Sequence, residues 1–168
     1  MDKFLFIINP VAGNGDTQKN IPLIKEYFSK NTDNEYKIVV TQRVGHGEQL
    51  ARNGIRDGYK HIVSVGGDGT AYEIINGIGE HYVNLGIIPS GTGNDFVRML
   101  DIPTDIHELL DLIVHGEYIE TDVGYINGRM FINYCSIGFD TMVVEESRKI
   151  KKYISGPPAY FLGVFKAL

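Results

Sequence analysis

The sequence predicts an α/β protein, a parallel sheet flanked by helices, that passes into the start of an antiparallel β second domain. Three observations carry this. Short apolar runs alternate with helix-spaced segments over residues 3–115, the rhythm of a parallel sheet covered on both faces. The 20 glycines cluster just beyond the ends of the apolar runs, where loops approach ligands, and not in a linker. Past residue 117 the rhythm changes to two runs joined by Asn127-Gly128, a strong hairpin signal.

Each element has its own reason. Lys3–Ile8 (KFLFII) is a short run, apolar after Lys3, that ends at Asn9-Pro10, so it reads as a buried strand. Residues 17–29 place Ile21, Ile24 and Phe28 at helical spacing. Glu35–Val40 is a second strand, and residues 47–56 a helix with Leu50 and Ile55 inward. Residues 61–65 and 84–88 are the third and fourth strands, with a helix over 70–78 between them. Helical segments follow over 95–100 and 105–115. Strands are expected over 118–126 and 130–137, and a charged helix over 140–152. Gly156-Pro157-Pro158 breaks that helix, and 159–168 reads as a strongly apolar helix with no obvious partner surface.

Composition narrows the function classes. Lys and Arg number 16 against 21 Asp and Glu, a net charge of −5, which argues against a general nucleic-acid binder. Cys135 is the one cysteine, so no disulfide framework exists within the chain, as suits a reducing cytoplasm; it is expected as a small buried filler in an apolar strand. No signal-peptide pattern opens the chain, and no stretch nears the roughly 20 apolar residues of a membrane helix. His61, His81, His107 and His115 show no metal-ligand spacing. Arg148, Lys149, Lys151 and Lys152 form a basic run, read as a solvated helix face, with an electrostatic foot on anionic lipid as the alternative.

Three glycine loops fall at the carboxyl ends of strands, where ligands of open parallel sheets sit. They are Asn9-Pro10-Val11-Ala12-Gly13-Asn14-Gly15, Gly66-Gly67-Asp68-Gly69-Thr70 and Pro89-Ser90-Gly91-Thr92-Gly93-Asn94-Asp95. Each leads toward a helix, whose free N–H groups and positive dipole end suit an anion. None is a Rossmann fingerprint: Gln18, Tyr72 and Phe96 stand where its third glycine belongs, and no P-loop pattern exists. A lone G-x-G is a tight turn; three on one edge point to phosphate. Two readings of Asp68 compete. A carboxylate among phosphates needs a cation between, for which Mg²⁺ is the usual choice; otherwise Asp68 merely caps the following helix.

The order of motifs then resembles a known family. Gly66-Gly67-Asp68-Gly69-Thr70 with Glu73 and Asn76-Gly77 looks like the GGDGT signature of the diacylglycerol kinase catalytic domain, a family similar in fold to sphingosine kinases, NAD kinases and 6-phosphofructokinases. Pro89 through Phe96, Asn9-Pro10 with Gly13, and Thr41 with Gly45-His46 resemble its other signatures. Thr121-Asp122-Val123-Gly124, Phe131-Ile132-Asn133 and Gly138-Phe139-Asp140 resemble the start of its second domain. The resemblance places an α/β nucleotide-binding domain at 1–125 and the beginning of a β-rich lipid-kinase domain at 126–168.

It implies an ATP-dependent lipid kinase at the inner face of the membrane, acting on diacylglycerol or a similar lipid with Mg²⁺. Asn9, Pro10, Val11, Ala12, Gly13, Asn14, Thr41, Gly66, Gly67, Asp68, Gly69, Thr70, Ala71, Tyr72 and Thr92 would line the ATP site. Asp68 would position phosphates and Mg²⁺ through water, and Asp95 and Asp122 would join it in an acidic network; local capping at Asp95 and a loop-edge carboxylate at Asp122 are the alternatives. His46 would help shape the site. Where members often carry Lys or Arg after the glycine of the first loop, this chain has Asn14, with Lys19 nearby as a substitute cation. The family's general base and structural metal belong to a segment beyond Leu168. The chain itself is therefore expected to be inactive and to self-associate through its apolar C-terminal segment. A nucleotide-binding module without catalysis and a kinase of a soluble substrate such as NAD stand as the alternatives.

Overall fold

The computed structural model of the chain describes residues 1–150, 154 and 157–167. Lys151, Lys152, Gly156 and Leu168 lie outside these, as do the side chains of Asn14 and Arg148. Two compact units are present, Met1–Asn133 and Tyr134–Leu168.

The first unit is built on four parallel strands: β1 (Lys3–Ile8), β2 (Glu35–Val40), β3 (His61–Gly66) and β4 (Asn84–Pro89), in the order β2-β1-β3-β4. Period-two alternation splits β1 between two cores. Phe4, Phe6 and Ile8 face Ile24, Tyr27 and Phe28 of α1 (Asn20–Asn31) and Leu109, Leu110 and Ile113 of α5 (Ile106–His115). Leu5 and Ile7 face Ala51 of α2 (His46–Arg56) and Ile74 and Ile78 of α3 (Asp68–Ile78), with Leu50 and Ile55 packed at the margin. All of β1 beyond Lys3 is buried, which is why its run carries no polar residue. Gly54 and Gly77 sit where a Cβ would come within 2.3 Å of Leu5 and of the Glu48 carbonyl, so helices on this face lie close.

The helix expected over 17–29 begins differently. Ala12–Lys19 forms a 3₁₀ segment, pinned by Thr17 Oγ1 donating to Ala12 O at 2.8 Å, before α1 starts at Asn20. A short α4 (Asp95–Arg98) follows the third glycine loop. On the open edge of the sheet, β4 is only half-buried beside an apolar cavity of about 600 Å³ bordered by Ile75, Leu85, Phe96 and Ile113.

Two strand expectations need correction. The hairpin exists, with positive φ at Asn127 and Gly128, but β5 (Gly124–Ile126) and β6 (Arg129–Phe131) pair over three residues each. Residues 118–123 form no strand: Tyr118 Oη donates to Ile113 O at 2.9 Å and meets His61 Nδ1, leaving that stretch no ladder to join. Residues 132–137 likewise run past the end of the partner strand, so Cys135 is exposed and outside any strand, not a buried filler. The hairpin lies within the first compact unit, Met1–Asn133. The second unit holds α6 (Phe139–Ile150) and α7 (Pro157–Ala167) packed on each other, so the terminal helix does have a partner surface.

Candidate functional site

Backbone hydrogen bonds draw the three glycine loops together at the carboxyl edge of the sheet. Asn9 N donates to Val65 O at 3.0 Å, and Ser90 N to Gly66 O at 2.8 Å, extending the ladders of β1 and β4 into the loops. Asn9 Nδ2 reaches Thr70 Oγ1 at 3.1 Å, tying the first loop to the first turn of α3. Thr41, buried at the end of β2, donates its backbone N–H to Ile8 O beside the same loop.

The glycines are there because nothing larger fits. Gly13 has φ +56°, and a Cβ on it would stand 2.1 Å from Ser90 O. A Cβ on Gly91 would stand 2.5 Å from Gly67 Cα, so the second and third loops touch backbone to backbone. Asn94, in the left-handed region at φ 54°, locks that third loop by exchanging two hydrogen bonds with Gly91, both 2.9 Å. At Gly69, by contrast, a Cβ would meet nothing within 4 Å: the N-terminal turn of α3 faces open space. A cavity of about 500 Å³ opens beside the contact between the first and third loops, edged by Gly13, Asp16, Lys19, Asn20, Ser90 and Gly91.

Asp68 does not cap its helix. Gly67 occupies the N-cap with no side-chain cap bond, and Asp68 Oδ1 instead accepts from Phe96 N of α4 at 3.3 Å. Gly93 lies beside both acidic groups, a Cβ on it standing 3.0 Å from Asp68 Oδ2 and 3.4 Å from Asp95 Oδ2. Asp95 is not a cap either, since Asn94 holds that place. The structure thus brings Asp68 and Asp95 together. Asp122 is exposed, and among the described residues it makes no hydrogen bond or ion pair to either. Among the described residues no group of three His, Cys, Asp or Glu converges to hold a metal ion. A pair of carboxylates beside an open helix N-terminus fits a hard cation shared with phosphates and water, as Mg²⁺ prefers, and does not fit an all-protein cage.

The remaining expected residues fall as follows. Pro10 and Ala12 are half-buried, Val11 and Thr92 exposed, Gly66 and Ala71 packed inside. Tyr72 is turned toward Arg129, whose guanidinium lies 5.3 Å over its ring. Lys19, the substitute cation, is paired with Asp16. His46 Nδ1 accepts from Gln42 N at 3.0 Å, which shapes the entry to α2.

Two supports had no role assigned from sequence. The Glu73 carboxylate accepts from Gly45 N at 2.7 Å and Gly47 N at 2.9 Å, clamping the start of α2 to α3. Asn76 binds the backbone of Met130 from both sides, donating to its carbonyl at 3.0 Å and accepting from its N–H at 2.9 Å. Both lie one and two turns along α3 from the Gly-Gly-Asp loop, a helical spacing that the sequence offered. Arg129 joins the same cluster through Tyr72 Oη at 3.2 Å and Glu48 at 2.8 Å, bonds that push its pKa further up.

Residues 3–126 match the profile of the diacylglycerol kinase catalytic domain. The chain belongs to that family. This family member is 37% identical to a diacylglycerol kinase of Staphylococcus saprophyticus over 164 residues, covering 96% of the chain and 53% of the relative. It is 36% identical to one of Staphylococcus carnosus over 159 residues, covering 93% and 51%. A crystal structure of a diacylglycerol kinase from Bacillus anthracis superposes with a TM-score of 0.64 at 34% identity, covering 77% of this chain and 48% of that one. The chain spans about half the length of the curated relatives it matches. For the family's catalytic domain, the matched range takes in the whole sheet, all three glycine loops and the first strand of the hairpin.

Proposed function

We propose that this chain is the nucleotide-binding half of an ATP-dependent lipid kinase that transfers the γ-phosphoryl group of ATP to the hydroxyl of diacylglycerol or a similar lipid. The observation that carries this is the convergence of three glycine loops on one sheet edge, with Asp68 and Asp95 side by side at Gly93. Backbone N–H groups of the α3 first turn would receive phosphate oxygens, since the helix dipole and the open space at Gly69 both favour an anion there. Mg²⁺, when bound, would neutralise charge on the transferring group. Asp68 would hold it at the correct distance through water, itself fixed by the Phe96 N–H. Asn9 would keep the first loop in register with Thr70. The acceptor hydroxyl needs a base, and the family resemblance puts that base in a further segment.

Calorimetry of the 168-residue chain tests the nucleotide half. Weak, Mg²⁺-dependent ATP or ADP binding is expected, with the Mg²⁺ dependence lost in Asp68→Ala at unchanged melting temperature. No heat and no thermal shift at millimolar ATP with Mg²⁺ would sink the reading. Phosphoryl transfer to diacylglycerol, a sphingosine-like lipid and NAD, in a protein of the relatives' full length built on this chain, separates lipid kinase from its alternatives.

A further inference from the structure

Along the carboxyl edge of the sheet, the strand order β2-β1-β3-β4 sets the order of the loops. The first turn of α3, which follows β3, has the third glycine loop on one side. On its other side come the first glycine loop and then residues 41–45, which join β2 to α2. Three side chains of α3 each hold a different one of these neighbours. Asp68 Oδ1 accepts from Phe96 N at 3.3 Å, and Thr70 Oγ1 accepts from Asn9 Nδ2 at 3.1 Å. The Glu73 carboxylate accepts from Gly45 N at 2.7 Å and Gly47 N at 2.9 Å. This last tie is the shortest of the three and engages both carboxylate oxygens, the charge-assisted arrangement that makes the strongest bonds. It needs a glycine at 47, where a Cβ would stand 2.8 Å from Glu73 Oε2.

The tie also decides what residues 41–45 can meet. Helices α2 and α3 are each 11 residues long and both start at this edge, so each brings free N–H groups and the positive end of a dipole. At α3 that end is open around Gly69. At α2 it is filled: Glu73 takes two backbone N–H groups there, and Glu48 adds a second carboxylate in the first turn. Phosphate is therefore favoured at α3 and repelled at α2. Mg²⁺ and the terminal phosphate belong beside Asp68 and Asp95, toward β4. The uncharged end of a nucleotide then extends the opposite way, over the first loop toward Thr41 at the end of β2. That is two strand spacings from β3, about 10 Å.

We propose that Glu73 is a positioning residue for the nucleoside end of a bound nucleoside triphosphate. It touches no part of the ligand. It fixes residues 41–45 as the wall against which ribose and base are held, at a set distance from the phosphates on α3. The inference rests on the nucleotide reading above and concerns the half of the ligand that the glycine loops do not grip.

The test titrates the 168-residue chain by calorimetry with ATP and with inorganic tripolyphosphate, both with Mg²⁺. Tripolyphosphate carries the charged half of the ligand alone. Glu73→Gln keeps the size and one acceptor but sets an NH₂ opposite a backbone N–H. It is expected to weaken ATP binding at least about tenfold and to leave tripolyphosphate binding within about twofold. Gly47→Ala breaks the same tie from the other partner and is expected to give the same split, so a misfolded glutamine variant does not end the test. Equal weakening of both ligands would reduce Glu73 to a structural clamp, and unchanged ATP affinity would show that residues 41–45 hold nothing. Either result overturns the proposal and leaves nucleotide binding by the chain standing, as does an unaltered chain that binds ATP but not tripolyphosphate. An unaltered chain that binds no ATP overturns the proposal together with the nucleotide reading.

Discussion

Gly13 concentrates the demands of the site into one residue. Its φ of +56° is unfavourable for any side chain, and its Cβ direction is blocked by the Ser90 carbonyl at 2.1 Å. Gly13→Ala must therefore either flip the first loop or push it off the third. We expect a loss of about 1–3 kcal/mol in urea unfolding and of measurable ATP binding, while Gly58→Ala, strained at φ +84° but with open space around it, should spare nucleotide binding. An unchanged ATP affinity in Gly13→Ala would show that the first and third loops need not touch. This residue was legible in the sequence as a loop glycine, because glycines past a strand end have few other uses. What it abuts was not legible, since Ser90 is distant in the chain and only the β1–β3–β4 order brings it near. The same holds for Asp68: its position in a phosphate-type loop was readable, whereas its bond to Phe96 N, which removes the capping alternative, depends on how two loops meet.

At the scale of elements, the hairpin is held less by its own three-residue ladder than by α3. Asn76 supplies a donor and an acceptor to Met130 as a neighbouring strand would. Two such bonds are worth about 2 kcal/mol together, so Asn76→Ala should speed exchange of the Met130 amide roughly thirtyfold and leave the sheet amides of β1 and β3 unchanged. Protection at Met130 equal to that of the unaltered chain would mean the β5–β6 pairing suffices alone. Asn127-Gly128 announced the turn because both residues need positive φ, a local requirement. Strand length was not local. The apolar runs on either side looked long enough for a nine- or eight-residue strand, but pairing stops where partners stop, and Tyr118 spends its hydroxyl on Ile113 O and His61. Apolar runs that end unpaired, like the one leading to Cys135, look the same in sequence as runs that continue.

For the molecule as a whole, pH should act through His61. Its ring stacks on Phe4 at 4.5 Å and contacts Tyr118 Oη, and burial lowers its pKa, with Asp2 opposing and Lys60 assisting. The unfolded chain, titrating near pH 6.5, then binds the proton more readily than the folded one. The stabilisation is complete above about pH 6.5 and is lost as pH falls through the lower folded value. Melting temperature is expected to drop between pH 7 and pH 5, with a shallower slope in His61→Gln. Identical slopes for the two proteins would remove His61 from the account. The fold class was readable at this scale because β1 and β3 are buried on both faces and so carry runs that are apolar apart from Ser64 and the first residue of each strand. The hold of the helices on the hairpin was not, because it rests on bonds from Asn76 to Met130 and from Arg129 to Glu48, pairs far apart in the chain.

The strand order also sets a timetable. β1 lies inside the sheet and pairs with β2 on one side and β3 on the other, residue for residue from Phe4 to Ile8. It leaves the ribosome before β2 and β3, and its second edge is not satisfied until Gly66 has followed. At about 5–20 residues per second, the segment KFLFII waits several seconds as an unpaired apolar edge. Such an interval favours misassociation between nascent chains, and it makes closure of the β1–β3 crossover, a non-local contact, the step that sets the folding rate.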